Sequence, residues 1–483
     1  MQQSASYFPS PLSQQLPPSR SPLQTVPLRS QRFTVIGGGS GCNAILSPFQ
    51  DALKTTFIVP VSDDGGSTAE ILRVLGGPAL GDIRSRLVRL IPPSPPGSPL
   101  DCIRKLLEYR LPSTGTAYDI KGEWHSVVEG THRLWKGFNF KKASIGNLFL
   151  SGAFLFLGSI PSAIFLFASL TGIPHEAFAV VPVINTTSTV TIAAELENGT
   201  TVCGQSEISH PSPTSQPVNL PSPSLQPSTS VTPNPQPQTL SNKVSFQNAL
   251  SLPSGSFFPL TRATTPSFPE PPILGAEEDD DARPMDSPDP NSTTNGGGDK
   301  SRNIEFSKDS DAVPPLEARI TRIFYLNAFG HEIYPRPNGV FLESLQNSTS
   351  LVYAPGSLYT SILPCLALRS VGTLIATSPS LTHKILLLNS TLDRETPNYS
   401  SIDFVKAISL ACNRCYGEDE QTKRTFEPRE FVTHVVYLEG SEVGVEMDEL
   451  EALGIRTVAA KPTSDGLFDD EVVRDALDRI FSV

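Results

Sequence analysis

Four glycines fall within five residues at Gly37-Gly38-Gly39-Ser40-Gly41, directly after the apolar run Phe33-Thr34-Val35-Ile36. A strand that turns abruptly into a helix leaves the first helical N–H groups without partners, and those donors favour an anion. Glycine lets the backbone approach a phosphate closely and take positive φ. The register Gly39-Ser40-Gly41-Cys42-Asn43-Ala44 also satisfies G-x-G-x-x-A, the dinucleotide fingerprint. The plainer alternative is a tight structural turn.

Asp63-Asp64-Gly65-Gly66-Ser67 closes the next apolar run. In a dinucleotide reading, an acid here would hold ribose hydroxyls. Two adjacent carboxylates repel at a buried strand end and are tolerable where one binds a metal or a ligand hydroxyl. An ordinary N-cap by Asp64 or Ser67 is the alternative. Gly81-Asp82-Ile83-Arg84 offers Asp82 as a helix cap and puts Arg84 in the first turn, where a phosphate would sit. Asn147, after Ser144-Ile145-Gly146, is a further polar group at a helix start, or merely its cap. Gly356-Ser357-Leu358-Tyr359-Thr360-Ser361 follows the apolar run Leu351–Tyr353 and repeats the anion-site logic, with Tyr359 able to stack on a ring. Two Gly/Ser loops at strand ends suggest one crevice holding both ends of a ligand.

These residues need strands ending in loops. Residues 33–36, 57–62, 178–184, 350–353, 384–389, 432–438 and 455–459 read as strands. Helical patterns lie at 42–53, 67–75, 82–91, 357–367, 401–412, 446–453 and 469–481. Such alternation predicts an α/β, Rossmann-like, mostly parallel sheet with helices on both faces. Residues 189–196 and 200–205 alternate around Asn198-Gly199, a β-hairpin signal, and a strand resumes at 319–326. Residues 143–175 carry no Asp, Glu, Lys or Arg, but Pro161, Gly152 and Gly158 interrupt them, which predicts two buried helices rather than a membrane span.

The 483 residues hold 46 prolines and a formal net charge of −12. Between 270 and 300, nine acidic residues face two basic ones. Residues 211–312 are Pro/Ser-rich and acidic, too poor in apolar groups to offset ordering entropy, and read as a disordered insert. Residues 1–32 read as a disordered Ser/Pro-rich leader, leaving 33–210 and 313–483 as a single domain. The charge pattern excludes a nucleic-acid footprint and a polybasic membrane patch. Of six cysteines, only Cys412 and Cys415 form a C-x-x-C, too little for a four-ligand zinc site. No Walker A lysine, H-E-x-x-H, G-x-S-x-G or kinase H-R-D motif occurs.

In order, VIGGGSG, VSDDGGS, GDIR, GNLFL, GQSEI at 204–208 and APGSLYTSILP resemble the pattern of the CofD/YvcK family, closer to its YvcK-type branch. The resemblance implies a ligand at the strand ends. Gly38 to Gly41 and Asn43 would line a diphosphate, Asp63 and Asp64 would face magnesium or the reacting group, and Asn147 with Gly356 to Ser361 would close the nucleotide site. The YvcK branch implies a UDP-sugar-binding regulator of carbon metabolism. The CofD branch implies magnesium-dependent transfer of 2-phospho-L-lactate from a guanosine diphosphate-linked donor. An NAD(P)-dependent oxidoreductase is a third reading, from the first motif alone. Ser85, Ala354 and Cys365 depart from the family pattern and bear on ligand identity and transfer more than on fold. The expected setting is cytoplasmic, with a nucleotide or nucleotide-sugar partner and room for a homodimer.

Overall fold

Seven short apolar runs pair into one parallel sheet. In chain order the strands are β1 (Arg32–Ile36), β2 (Lys54–Val59), β3 (Phe178–Pro182), β4 (Thr191–Leu196), β5 (Thr201–Cys203), β6 (Ile320–Leu326), β7 (Glu332–Ile333), β8 (Ser350–Tyr353), β9 (His383–Leu387), β10 (His434–Leu438) and β11 (Arg456–Ala460). The large sheet runs β11-β10-β9-β8-β1-β2-β3, every pair parallel. Val35 of β1 pairs with Phe57 of β2 and with Val352 of β8. All three are buried, as strands covered on both faces require. Phe33, Phe49 and Phe57 pack edge to face at ring separations of 5.2 and 6.4 Å, and Phe481 of the last helix joins Phe33 at 6.0 Å. Each buried ring contributes about 1.5–3 kcal/mol relative to exposure.

The computed structural model describes residues 28–111, 142–210, 315–414, 416–417, 424–463 and 466–482. The insert expected at 211–312 and Cys415 lie outside these. Residues 28–32 correct the leader's boundary: Leu28–Ser30 form a 3₁₀ turn with Leu28 buried, and Arg32 already belongs to β1.

The hairpin around Asn198-Gly199 forms as expected. Gly199 takes φ +82° and Ala193 pairs antiparallel with Cys203. β4 also pairs antiparallel with β6, from the far side of the insert, giving a second sheet in the order β5-β4-β6-β7. The helix expected over 42–53 is instead two short pieces, Ser40–Asn43 and Ser47–Gln50. Pro48 has no N–H to continue the first piece and sits in the first turn of the second, where none is needed.

Residues 143–175 form two helices, Ile145–Leu157 and Ile160–Thr171, separated at Gly158, whose φ is +64°. They are not wholly buried. Leu150, Phe154 and Phe167 face the core, whereas Phe156 is 88% exposed and Phe165 62%. Among the described residues no single helix is long and apolar enough to cross a membrane. The bent pair Leu358–Leu366 and Val371–Thr377 passes on composition, but Leu358, Leu366, Val371 and Ile375 are core residues.

Candidate functional site

β1 is where the sheet changes direction: β2 and β3 extend to one side, β8 to β11 to the other. Loops leaving two such neighbouring strands diverge and leave a crevice beyond their carboxyl ends. The glycine loop leaves β1 and residues 354–357 leave β8, so both motifs flank that crevice.

The glycines are needed for space. Among Gly37, Gly38, Gly39 and Gly41 none takes positive φ, contrary to one reason for expecting glycine there. A Cβ on Gly41 would lie 2.4 Å from the Pro355 carbonyl oxygen, and one on Gly37 2.9 Å from Ala354 Cβ. One on Gly38 would lie 2.6 Å from Ser361 Oγ, and one on Gly39 2.3 Å from Asp82 Oδ1. The loop is thus wedged between the β8 loop and the helix Gly81–Leu90.

Asp82 does not cap its own helix, whose N-cap is Leu80 with no side-chain bond. Its carboxylate faces the Gly39 backbone N–H instead. Desolvation raises its pKa to about 6, against the lowering effect of Arg86 and Arg84. Asp63 is raised to about 7, by desolvation first and then by Asp82, although its Oδ1 accepts from the Gly65 N–H at 3.1 Å. Asp64 accepts from the Ser206 N–H at 2.7 Å, which ties the GQSEI segment to this rim. Neither Asp64 nor Ser67 caps the helix Gly66–Leu75; its N-cap is Gly65. Arg84 Nε donates to Asn147 Oδ1 at 2.9 Å, and Asn147 Nδ2 donates to Ser67 Oγ at 3.0 Å. Asn147 is therefore a buried bridge between two motifs, while Ser144 caps its helix. Desolvation, then Arg110, lowers the Arg84 pKa to about 10, so it stays cationic at neutral pH.

Several polar atoms in and beside this cluster are buried and lack a partner, among them Asn43 Oδ1, Ser62 Oγ and Arg86 Nε. The amide nitrogen of Asn43 donates to Ser85 Oγ at 2.6 Å, so Ser85 keeps a contact with the glycine loop.

Tyr359 and Thr360 stand apart from this cluster. The Tyr359 ring is buried away from the loops, its hydroxyl donating to the Ile320 carbonyl and meeting the Tyr399 hydroxyl at 2.9 Å. That corrects the expectation that it stacks on a ligand ring. Thr360 Oγ1 donates to Glu395 at 2.5 Å. Gly356, at φ +148°, is clamped by Asn389, which accepts from its N–H at 3.1 Å and donates to its carbonyl at 2.9 Å.

Sequence reasoning missed Arg86, Glu395 and Asn389. Arg86 is 1% exposed and donates to the Gly38 carbonyl at 2.7 Å and to Cys42 Sγ at 2.6 Å. Its spacing of four from Asp82, one helical face, was a readable signal. Asn389 follows β9, next to β8, so proximity to the strand ends could have found it. Glu395 accepts from the Tyr359 N–H at 2.8 Å, the Thr360 N–H at 3.1 Å and the Ser209 hydroxyl, and so fixes the β8 loop from beneath. Desolvation, then Asp393, raises its pKa to about 7. No local pattern announces it.

Among the described residues no group of three or more His, Cys, Asp or Glu could hold a metal by itself. Magnesium is commonly held by one or two carboxylates with ligand phosphates and water. Asp63 and Asp82 fit that donor set, because a cation would offset the desolvation that raises both and the repulsion by Asp82 that raises Asp63 further.

A family model described as 2-phospho-L-lactate transferase CofD matches residues 33–462. The chain is 31% identical over 465 residues to the uncharacterised protein YNL011C of Saccharomyces cerevisiae, across 87% of this chain and 93% of that one. It is 27% identical over 182 residues to the gluconeogenesis factor of Halalkalibacterium halodurans, across 38% of this chain and 46% of the relative. With the gluconeogenesis factor of Bacillus subtilis the identity is 25% over 172 residues, 35% of this chain and 51% of the relative. These two matches span about half of each gluconeogenesis factor. The crystal structure of protein BH3568 from Bacillus halodurans shares the fold, with a TM-score of 0.55 at 19% identity over 93% of this chain and 99% of that one. The chain belongs to the CofD family, and gluconeogenesis factors of the YvcK type are among its relatives.

Proposed function

We propose that the protein binds the diphosphate of a nucleotide sugar in the crevice between the β1 and β8 loops, and that this binding serves a regulatory role in carbon metabolism. The observation that carries the reading is the position of the glycine loop at the strand where the sheet changes direction. Arg84 supplies a cation there. The unpartnered Asn43 Oδ1 and Ser62 Oγ match ligand hydroxyl or amide donors, because a buried polar atom without a partner costs about 1–3 kcal/mol. The regulatory part rests on the name of the gluconeogenesis factors, to which this chain is 25–27% identical over 172 to 182 residues.

A second reading is favoured by one specific feature, the pair of raised carboxylates Asp63 and Asp82. In a CofD-like transfer of 2-phospho-L-lactate these two would hold magnesium, which supplies charge neutralisation at the phosphates. Arg84 and the loop N–H groups would orient the donor. The test is a thermal-shift panel of UDP-N-acetylglucosamine, UDP-glucose, GDP, GTP and NAD, each with and without magnesium. Stabilisation by UDP-sugars alone supports the binder. A magnesium-dependent shift with GDP or GTP supports the transferase. Stabilisation by NAD alone overturns both.

A further inference from the structure

A second cavity, of about 490 Å³, lies between β6 and the helix Ser401–Asn413. It shares only Tyr359 and Leu363 with the motifs of the crevice. Its volume falls within the roughly 300–1,000 Å³ of small-molecule sites. Leu363, Ala367 and Ala407 give it an apolar floor, and Tyr399 an aromatic wall. Four cations line it, Arg319, Arg322, Lys406 and Arg414, against Glu197 and Asp403. In a chain of net charge −12 this is a local cationic island.

The cations are not equivalent. Arg319 lies 3.7 Å from Asp403 and its guanidinium sits 4.9 Å from the Tyr399 ring centre. Arg322 is held by Glu195 and Glu332. Among the described residues neither Lys406 nor Arg414 forms an ion pair. Lys406 and Leu410, four apart, lie on one helical face, and Arg414 follows as the residue that closes the helix. Leu410 between them is 67% exposed. A stripe of cation, exposed apolar group and cation above an apolar floor suits a ligand with an aromatic body and an anionic group.

We infer that this cavity is a second ligand site, for a small aromatic anion bearing a phosphate or carboxylate. The body lies on Ala407 and Leu363 beside Tyr399, and the anionic group sits between Lys406 and Arg414. The site is separate from the crevice but touches it mechanically. Tyr359, part of its wall, belongs to the turn Leu358–Ile362 that follows Gly356 and Ser357.

Pyridoxal 5′-phosphate is an aromatic phosphate whose aldehyde condenses with a lysine amine, losing water; borohydride then reduces the imine to a stable amine. The full-length protein is treated briefly at low reagent concentration and its lysines are mapped by mass spectrometry. Lys406 should be modified roughly tenfold faster than the exposed Lys54 and Lys461, because a cationic cavity concentrates the anion. Phenyl phosphate and the exposed-site substitution Arg414→Glu should each abolish that preference. Labelling of Lys406 no faster than Lys54 and Lys461, or unaffected by phenyl phosphate and by Arg414→Glu, would overturn the inference.

Discussion

Gly41→Ala tests whether the two loops form one site. The added Cβ would lie 2.4 Å from the Pro355 carbonyl oxygen, 2.9 Å from its carbon and 3.4 Å from the Gly356 nitrogen. All three are backbone atoms, so no side chain can swing aside. Ordinary contact begins near 3.4 Å, and the loops must therefore part by about 1 Å. Both are pinned: the Gly37 N–H donates to the Ile58 carbonyl at 3.2 Å, and Asn389 clamps Gly356. Overpacking of this kind costs about 1–3 kcal/mol. The melting temperature should fall by roughly 2–8 °C. Ligand affinity should fall further, on the order of 100-fold, because misplacement by about 1 Å spoils positioned contacts. The assay is calorimetric titration with UDP-N-acetylglucosamine and magnesium, or with GDP if the panel favours it, beside a melting curve. Gly152→Ala is the control. Its Cβ would meet nothing within 4 Å inside the helix Ile145–Leu157, so it should stabilise by roughly 0.5–1 kcal/mol and leave affinity unchanged. Parental affinity in Gly41→Ala would refute the idea that the loops jointly hold the ligand.

Three further substitutions probe the shell of the crevice. Asp63 and Asp82 have folded-state pKa values of about 7 and 6 against an ordinary 3.8, so their contribution to stability is complete below about pH 4 and is lost as pH rises through 6 to 7. Asp63→Asn removes part of that loss. Its melting temperature should gain on the parent as pH rises from about 5 to 8, and parallel curves would contradict the pairing. Arg86→Met strips the Gly38 carbonyl of its donor and Asp82 of its neighbouring cation, at about 3–5 kcal/mol. The loss should be greater at high pH, where Asp82 must ionise without that cation; a pH-independent loss would count against the arrangement. Glu395→Gln turns an acceptor into a partial donor facing the Tyr359 and Thr360 N–H groups, at about 1–3 kcal/mol for a donor left unpaired. Hydrogen exchange at these two amides should quicken and the melting temperature fall, while unchanged exchange would remove Glu395 from its supporting role.

Local patterns carried much of this. β1, β2 and β8 to β11 are short apolar runs, each followed within two residues by Gly, Pro or Asn, and each formed within a few residues of its predicted span. The motifs at 37–41, 63–67, 82–84 and 147 come together because each lies at a strand end or in the first turn of a helix. Strand order was not legible, since it depends on which apolar faces pack. The switch at β1 and the pairing of β4 with β6 across the insert therefore had no sequence signal. Tyr359 was misread because its neighbours Gly356 and Ser357 suit a ligand, whereas its own ring completes a core with Tyr399. The 42–53 helix breaks before Pro48, a signal present in the sequence.

Hydrogen exchange with and without a nucleotide sugar and magnesium tests the central claim most directly. The account predicts that amides of residues 37–43, 63–68 and 354–361 gain protection together, as the two loops close on one diphosphate. Binding that protects other segments and leaves these three unchanged would contradict it.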